Sequence, residues 1–305
     1  MLGRTGIEKR HFAGPVGDAL FDLDAEKLNQ LFEREAPLLA SSAVRGALDK
    51  SKLKASDLHA LFVCTCTGYL CPGLSSYIAE NLGIRNHAYL QDIVGQGCGA
   101  AIPTLRSAYA YLSAYPDAKV AVVAVEVCSA AYLVEDDPAV LISACLFGDG
   151  ASASIWSNEV IENGYIASGF QTLHLPQYRE DLRFINADGK LKNKLAPTVP
   201  RKAANAVAKL YNNKNGSTGK IIAHPGGRDV INALKAKLTC LDAKSAEAVL
   251  KKYGNMSSPS VLFVLEEALN SNPHSDKLWL TSFGAGFTCH GFSLDRDITK
   301  INRQH

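Results

Sequence analysis

Residues 92–112, DIVGQGCGAAIPTLRSAYAYL, place a cysteine between a strand-like apolar run and a helical pattern. The run ends at Gly95, Cys98 follows Gly97, and apolar residues then recur at helical spacing through residue 115. The N-terminus of a helix carries unpaired N–H groups and a partial positive charge, and both favour a thiolate over a thiol. Cys98 is therefore a candidate nucleophile. A small apolar side chain packed at a helix start is an alternative that this stretch alone leaves open.

Short apolar runs and longer helical patterns alternate outward from this stretch in both directions. Helices are predicted at residues 22–51, where Asp22 or Asp24 can cap the start, and at 73–83, 98–115, 199–213, 229–237 and 258–272. Strands are predicted at residues 58–66, 87–94, 118–127, 151–157, 165–170, 181–187, 219–225, 277–286 and 288–294. This alternation predicts an α/β fold with mostly parallel sheets covered by helices. Two α/β halves, 1–157 and 158–305, are predicted to pack closely, because no low-complexity linker separates them.

The composition is typical of a globular protein. The chain has 305 residues, of which 47% are hydrophobic and 20% charged, and its formal net charge is +2. The sequence has no basic run of the kind that marks a nucleic-acid-binding surface. The longest apolar stretch, residues 119–133, is interrupted by Glu126 and is too short to span a bilayer, so we interpret it as a buried strand and expect no membrane partner. The N-terminus lacks the apolar core of a signal peptide, so we expect the eight cysteines to be reduced thiols in the cytoplasm.

Two further residues with catalytic chemistry stand at predicted strand-to-helix junctions. His224 ends the run IIAH before a Pro-Gly-Gly turn, and its ring can donate a hydrogen bond or act as a base. Asn255 precedes a helix that Ser257 or Ser258 can cap, and its amide can donate a hydrogen bond to a developing oxyanion. Each has an ordinary alternative: a strand-end histidine satisfied by backbone, and a turn asparagine.

The three residues together fit one kind of chemistry. A thiol can hold an acyl group, and two N–H donors can stabilise the enolate oxygen that forms when a malonyl group loses carbon dioxide. Cys98, His224 and Asn255 therefore indicate carbon–carbon bond formation on thioesters.

Five motifs follow one another along the chain: GQGCGAA at 95–101, LFGDGASA at 146–153, AHPGG at 223–227, YGNMSSPSVLF at 253–263 and SFGAGFT at 282–288. In these motifs and their order the chain resembles the chalcone synthase-like type III polyketide synthases over nearly its whole length. The resemblance implies a thiolase-like αβαβα fold of five layers, built of two similar halves, and a homodimer. It also implies iterative decarboxylative condensation of malonyl-CoA onto a CoA-linked starter, cyclisation to a pyrone or phenolic product, no carrier protein, and no cofactor beyond the CoA thioesters that serve as substrates.

The resemblance also implies roles for the three candidates. Cys98 is the acyl-accepting nucleophile, held as a thiolate by His224, and His224 and Asn255 form the decarboxylation and oxyanion site. Phe147 matches the gatekeeper phenylalanine between the CoA tunnel and the cavity, for which an ordinary core aromatic is the alternative.

Further positions around the substrate follow from the same resemblance. The cavity and substrate-binding positions are Cys66, Thr67, Cys128, Ala131, Ser257, Gly226 and Gly227, and Arg4 could contact the CoA phosphates. The second gatekeeper position falls near Asn193, with Phe184 as a nearby substitute. Cys71 falls where a residue of one subunit reaches into the cavity of its partner. A metal site formed by Cys64, Cys66 and Cys71 is an alternative, but no histidine completes it and its spacing fits no zinc pattern, so we predict no metal.

The chain also departs from the family pattern. The family residues that precede the segment resembling IEKRHF, residues 7–12, include the first strand of the N-terminal half, so we expect an unpaired sheet edge or a hole in the core. Arg228, Asp229 and Ala285 also replace family residues in two loops. Two other functions remain open: a single-round ketoacyl synthase III-like enzyme, which shares the FGDGA motif, and a non-catalytic thiolase-fold subunit that pairs with a longer partner.

Overall fold

The computed structural model describes residues 5–14, 23–131, 138–159, 164–214, 219–273 and 275–296. The described elements stack in five layers: helices, a sheet, a central layer of helices, a second sheet, and helices. This is the αβαβα architecture that the sequence predicted.

The two central strands of the first sheet are apolar and buried on both faces. In the described part of the chain it contains β1 (Ala60–Thr65), β2 (Tyr89–Val94), β3 (Val120–Glu126) and β4 (Gly150–Trp156), in the order β2-β1-β3-β4. β1 pairs in parallel with β2 and β3, and β4 is antiparallel to β3. Every residue of β1 and β3 is buried, which explains why these strands are continuous apolar runs. The carboxyl ends of β1, β2 and β3 meet at one edge of the sheet, which brings together the segments that follow them.

The second sheet repeats this arrangement. Its strands among the described residues are β5 (Tyr165–His174), β8 (Lys220–Ala223), β9 (Lys277–Gly284) and β10 (Thr288–Arg296), and a separate hairpin holds β6 (Leu182–Ala187) and β7 (Lys190–Leu195). The order is β5-β10-β9-β8, with β8 parallel to β9 and β10 antiparallel to both of its neighbours. β8, β9 and β10 therefore correspond to β1, β3 and β4.

The sheets differ at both edges, since β2 flanks β1 whereas no strand flanks the outer side of β8 among the described residues. β10 is covered by β5, whereas the outer edge of β4 has no strand beside it among the residues that the structure describes. The first sheet therefore ends in an open strand at this position.

The helices are α1 (Ala25–Ser51), α2 (Leu74–Leu82), α3 (Ala101–Ala114), α4 (Pro138–Leu146), α5 (Val199–Asn212), α6 (Arg228–Lys235), α7 (Ala243–Tyr253) and α8 (Ser260–Ser271). α1 and α2 cover the outer face of the first sheet, and α5 and α6 cover that of the second. In the central layer, Leu105 of α3 and Val264 of α8 share one core with Phe62 of β1 and Leu280 of β9. The central helices therefore share one apolar core with strands of both sheets.

The structure also contains elements that the sequence analysis did not predict, namely β7, α4 and α7. The β6–β7 hairpin turns at Asp188 and Gly189, whose φ angles are 49° and 74°. The helix predicted from residue 98 begins at Ala101, because residues 97–99 form a turn of 3₁₀ helix.

Candidate active site

Cys98 lies on the 3₁₀ turn Gly97–Gly99, between the end of β2 and the start of α3. The end of β9 passes directly against this turn. A Cβ at Gly284 would lie 2.4 Å from the backbone N of Gly99, so this approach requires glycine. Ser282 Oγ also donates a hydrogen bond to the Gly99 carbonyl at 3.0 Å. Elements of both halves therefore fix the position of the candidate nucleophile.

Burial and the helix start act in opposite directions on the charge state of Cys98. Ser257 Oγ donates a hydrogen bond to Cys98 Sγ at 3.3 Å. Burial nevertheless raises the pKa of the Cys98 thiol to about 12. Burial therefore favours the neutral thiol and opposes the effect of the helix terminus. A base must accept its proton before Cys98 can attack a thioester.

His224 directly follows β8, and its backbone N–H donates to the Thr281 carbonyl at 2.9 Å. Its ring is 1% exposed and packs edge-on against Phe283, with ring centroids 5.2 Å apart. Burial lowers the pKa of His224 to about 3, so the ring is neutral at pH 7. A neutral ring has one nitrogen that can donate and one that can accept.

The two ring nitrogens of His224 have no hydrogen-bond partner among the described residues. Leaving a buried polar atom unpaired costs about 1–3 kcal/mol, so such atoms are rare in folded proteins. The alternative of a histidine whose ring is satisfied by backbone therefore does not describe this site. The ring is held, unpaired, beside Phe283, whose backbone lies against the Gly99 turn.

The Asn255 side chain links the turn after His224 to Ser257, the residue that contacts Cys98. Its Nδ2 donates to the Gly226 carbonyl at 2.8 Å, and its Oδ1 accepts from the Ser257 backbone N–H at 2.7 Å. Gly226 has a φ of +62°, a left-handed conformation that glycine adopts freely. An amide group carries two N–H bonds, so one remains for another acceptor. The structure therefore supports the turn role of Asn255 and leaves a donor available.

Cys98 opens onto a cavity of about 40 Å³. Of the predicted positions, those that line this cavity are Thr67, Cys128, Ala131, Phe147, Phe184, Asn193 and Ser257. Its lining also includes Gly97, Ser143, Leu182, Arg183 and Ala285.

Two aromatic side chains, Phe147 and Phe184, line the cavity. Phe147 is buried, and its backbone forms a bridge to Asn255. Phe184 on β6 faces Asn193 on β7 across the hairpin. Asn193 Nδ2 donates to Ser143 Oγ at 2.8 Å, which ties the hairpin to α4. The two residues suggested for the second gatekeeper position are therefore neighbours on the same wall.

A buried carboxylate that the sequence analysis did not predict as a site residue lies behind this cavity. Glu126 ends β3 and is 0% exposed. It accepts hydrogen bonds from the Cys66 backbone N–H at 2.9 Å, from Thr67 Oγ1 at 2.9 Å and from Ser258 Oγ at 2.5 Å. Burial raises the pKa of Glu126. A charged residue at the end of an apolar strand was the signal that could have identified it.

A chain of polar contacts connects Glu126 to the candidate nucleophile. Cys66 Sγ donates to Glu126 Oε1 at 3.3 Å and lies 3.3 Å from Ser257 Oγ. Ser257 Oγ in turn donates to Cys98 Sγ. Cys66 therefore lies one contact behind the cavity wall.

The other predicted residues lie outside the cavity lining. His224, Asn255, Gly226 and Gly227 are buried behind it, and Cys71 is exposed on the loop before α2. Arg4 lies outside the described residues. Cys64 is buried whereas Cys71 is exposed, and no group of three or more His, Cys, Asp or Glu residues in the described ranges could hold a metal ion.

Two protein-family models match the chain, one after the other along the sequence. A model described as FAE1/type III polyketide synthase-like protein matches residues 2–168, and a model described as chalcone and stilbene synthases, C-terminal domain, matches residues 170–296. The chain belongs to the type III polyketide synthase family. The first match contains Cys98 and the second contains His224 and Asn255.

Individual relatives agree with this family. The chain is 30% identical to 3,5-dihydroxyphenylacetyl-CoA synthase of Amycolatopsis orientalis over 277 residues, which cover 86% of this chain and 75% of that protein. It is 26% identical to 1,3,6,8-tetrahydroxynaphthalene synthase of Streptomyces coelicolor over 300 residues, which cover 94% and 80%. The crystal structure of 1,3,6,8-tetrahydroxynaphthalene synthase from Streptomyces coelicolor A3(2) matches with a TM-score of 0.89 and 25% identity, over 97% of this chain and 88% of that one.

Membership of the type III polyketide synthase family decides among the functions that the sequence left open. It supports an acyltransferase of the polyketide synthase class over a single-round ketoacyl synthase and over a non-catalytic subunit. Within the described residues, no helix is both long and apolar enough to cross a membrane.

Proposed function

We propose that this type III polyketide synthase condenses malonyl-CoA repeatedly onto an acyl group held by Cys98 and cyclises the chain to a pyrone or phenolic product. The observation that carries the proposal is the unpaired, neutral ring of His224 in a buried site that Asn255 and Ser257 connect to Cys98. Such a ring is ready to exchange a proton with a reacting group.

The first step is loading of the starter. The His224 ring accepts the Cys98 proton, and the sulfur attacks the thioester carbonyl of an acyl-CoA. The new carbon–sulfur bond forms as the bond to CoA breaks, and the CoA thiolate takes the proton back from His224. A neutral His224 with an open acceptor nitrogen suits this step, because burial favours the thiol form of Cys98.

The second step is decarboxylation of a malonyl group. Loss of carbon dioxide leaves an enolate, whose negative oxygen needs N–H donors in a site without water. The protonated nitrogen of the His224 ring and the remaining N–H of Asn255 supply two donors. The hydrogen bond from Asn255 to Gly226 orients the amide, and the Phe283 ring orients the histidine.

The third step forms the carbon–carbon bond. The enolate carbon attacks the thioester on Cys98, and the Cys98 thiolate leaves. The extended chain, now attached to CoA, returns to Cys98 for another round. The residues that line the cavity, above all Phe147, Phe184 and Asn193, set the space for extension and cyclisation.

We also propose a homodimer that uses CoA thioesters, malonyl-CoA and an acyl-CoA starter, without a carrier protein or another cofactor, in the cytoplasm. The edge strand β2 supports the dimer, because Tyr89 and Val94 at its two ends are each 49% exposed and one side of the strand is open to pairing in the described chain. The exposed Cys71 is then available to reach the cavity of the partner subunit. All eight cysteines are free, which suits a reducing compartment.

The proposal is tested by mass spectrometry of the intact protein after incubation with malonyl-CoA and a panel of starter CoA thioesters. We expect an acyl adduct on Cys98 and small-molecule products that contain several malonyl-derived units. Cys98→Ala should abolish both, whereas Cys240→Ala, at an exposed cysteine, should abolish neither. The absence of an adduct and of released CoA from the folded wild-type protein would contradict the proposal.

A further inference from the structure

A second cleft lies where α3 meets β5 and β10, and it shares no lining residue with the Cys98 cavity. We call it the His290 cleft and define it by Arg106, Ser107, Gln171, Thr172 and His290. Its volume is about 240 Å³, and it continues into a space of about 430 Å³ that Lys209 of α5 also lines. The cleft is therefore far larger than one water molecule.

His290 lines the cleft, and one of its two ring nitrogens has no hydrogen-bond partner among the described residues. His290 is 4% exposed, and its Nε2 has no hydrogen-bond partner among the described residues. Its Nδ1 lies 3.0 Å from Thr172 Oγ1. When the Thr172 hydroxyl donates to Nδ1, the ring proton is on Nε2, which is then a buried donor without an acceptor among the described residues.

The charges around the cleft have one sign. Arg106 lines the cleft and Lys209 lines the adjoining space. Neither forms an ion pair with another described residue, and no Asp or Glu belongs to either lining. The Arg106 charge acts on the His290 ring, since burial and this arginine together lower the pKa of His290 to about 4. The neutral His290 ring and the positive Arg106 side chain together favour a ligand whose hydrogen-bond acceptor carries negative charge.

Gln171 supplies a further open group. Its Nε2 donates to the Asn213 carbonyl at 3.3 Å, and its Oε1 is buried without a hydrogen-bond partner in the described structure. An amide can present either its oxygen or its nitrogen after a half-turn, so Gln171 can accept from a ligand hydroxyl or donate to a ligand oxygen. Ligands that satisfy both His290 and Gln171 therefore have several oxygens, at least one of them charged.

From these contacts we infer that the His290 cleft binds a small oxyanion with the charge and oxygen pattern of hydrogen phosphate, held by Arg106, His290 and Gln171. The anion enters from solvent, because Arg106, Thr172 and Lys209 are exposed. The site lies directly behind the nucleophile turn. A Cβ at Gly99 would lie 3.3 Å from His290 Cδ2, so an occupied cleft supports the turn that carries Cys98.

Calorimetric titration of the full chain with inorganic phosphate, in a chloride buffer, tests the inference. Saturating CoA is present throughout, so that sites for CoA phosphates are already filled. We expect saturable binding of one phosphate per chain, which Arg106→Ala and His290→Phe weaken at least about tenfold. Arg201→Ala removes the same charge from an exposed position outside the cleft and should leave the affinity unchanged.

A second measurement guards against loss of folding in the histidine variant. His290→Gln keeps an N–H donor and should bind phosphate within about threefold of the wild type. The ¹⁵N resonance of His290 Nε2 should shift on addition of phosphate in the wild type and in Arg201→Ala, and stay unchanged in Arg106→Ala. No saturable binding in the presence of saturating CoA, or equal affinities of Arg106→Ala and Arg201→Ala, would overturn the inference.

Discussion

Ser257 Oγ donates a hydrogen bond to Cys98 Sγ across 3.3 Å, and these two side chains come from opposite halves of the fold. Ser257 has a φ of +59°, a left-handed conformation that is uncommon for a residue with a side chain. Unusual backbone angles of this kind concentrate at functional sites. The conformation directs the hydroxyl to Cys98 and, 3.3 Å away, to Cys66.

Replacing Ser257 should make Cys98 less reactive. The hydrogen bond from Ser257 lowers the pKa of Cys98, so its loss raises the pKa further. We expect Ser257→Gly to slow alkylation of Cys98 by iodoacetamide at pH 8 about threefold to tenfold. Glycine is chosen because it tolerates the positive φ. Peptide mass spectrometry gives the rate, and Ser113→Ala on the exposed side of α3 is the control. An unchanged rate in Ser257→Gly would show that the hydroxyl does not act on Cys98.

Glu126 should make stability depend on pH. Burial raises its pKa in the folded state above the unfolded value near 4.5, so its contribution to stability is fully present below pH 4.5 and is lost as the pH rises through the folded pKa. Glu126→Gln has no such titration. As the pH falls from 8 to 4.5, the free energy of unfolding of the wild type should therefore rise relative to that of Glu126→Gln. Urea unfolding at both pH values measures the difference, and a constant difference would contradict the buried carboxylate.

His224 should act in the opposite direction. Its pKa falls from 6.5 to about 3 on folding, so its contribution is present above pH 6.5 and is lost as the pH falls toward 3. Because the buried ring stays neutral, the free energy of unfolding should be about 2 kcal/mol lower at pH 5 than at pH 7.5. His224→Gln should remove this loss. Unfolding of both proteins by urea at pH 7.5 and pH 5 tests the prediction, and equal losses in the two proteins would mean that His224 is protonated in the fold.

The cavity wall should control which starters load. Phe184 lines the 40 Å³ cavity, and its truncation opens space beside Asn193. We expect Phe184→Ala to raise loading of octanoyl-CoA relative to acetyl-CoA about tenfold. The ratio of the two adducts on Cys98 is read from intact-protein mass spectra. Phe170→Ala removes an aromatic ring outside this cavity and should leave the ratio unchanged.

The elements predicted from sequence are those with strong local signals. Asp24 caps α1 by accepting from the Lys27 backbone N–H at 2.8 Å, and Gly83 ends α2 with a φ of +67°, both at expected positions. β1 and β3 were evident because strands buried on both faces are continuously apolar. Lys-rich β7 was missed because its sequence, KLKNKL, is polar, although the Asp188-Gly189 pair is a hairpin signal.

The sequence points to candidate site residues but not to the burial and hydrogen bonds that act on them. Cys98, His224 and Asn255 stand in motifs that the sequence displays, whereas the burial that favours the thiol form of Cys98 comes from segments far apart in the chain. The role of Glu126 depends on donors from residues 66, 67 and 258, which only the folded sheets bring together. Long-range burial and hydrogen bonding therefore limit what the sequence alone can supply.

The most direct test of the account is release of labelled carbon dioxide from [¹⁴C]malonyl-CoA, labelled in the free carboxyl group, because it separates the roles of the three residues. The account predicts that Cys98→Ala still releases carbon dioxide while it forms no acyl adduct. His224→Ala and Asn255→Ala should each reduce the release about 100-fold, because each removes one donor to the enolate oxygen. Release by His224→Ala and Asn255→Ala at the rate of Cys98→Ala would contradict the assignment of these two side chains to the decarboxylation step.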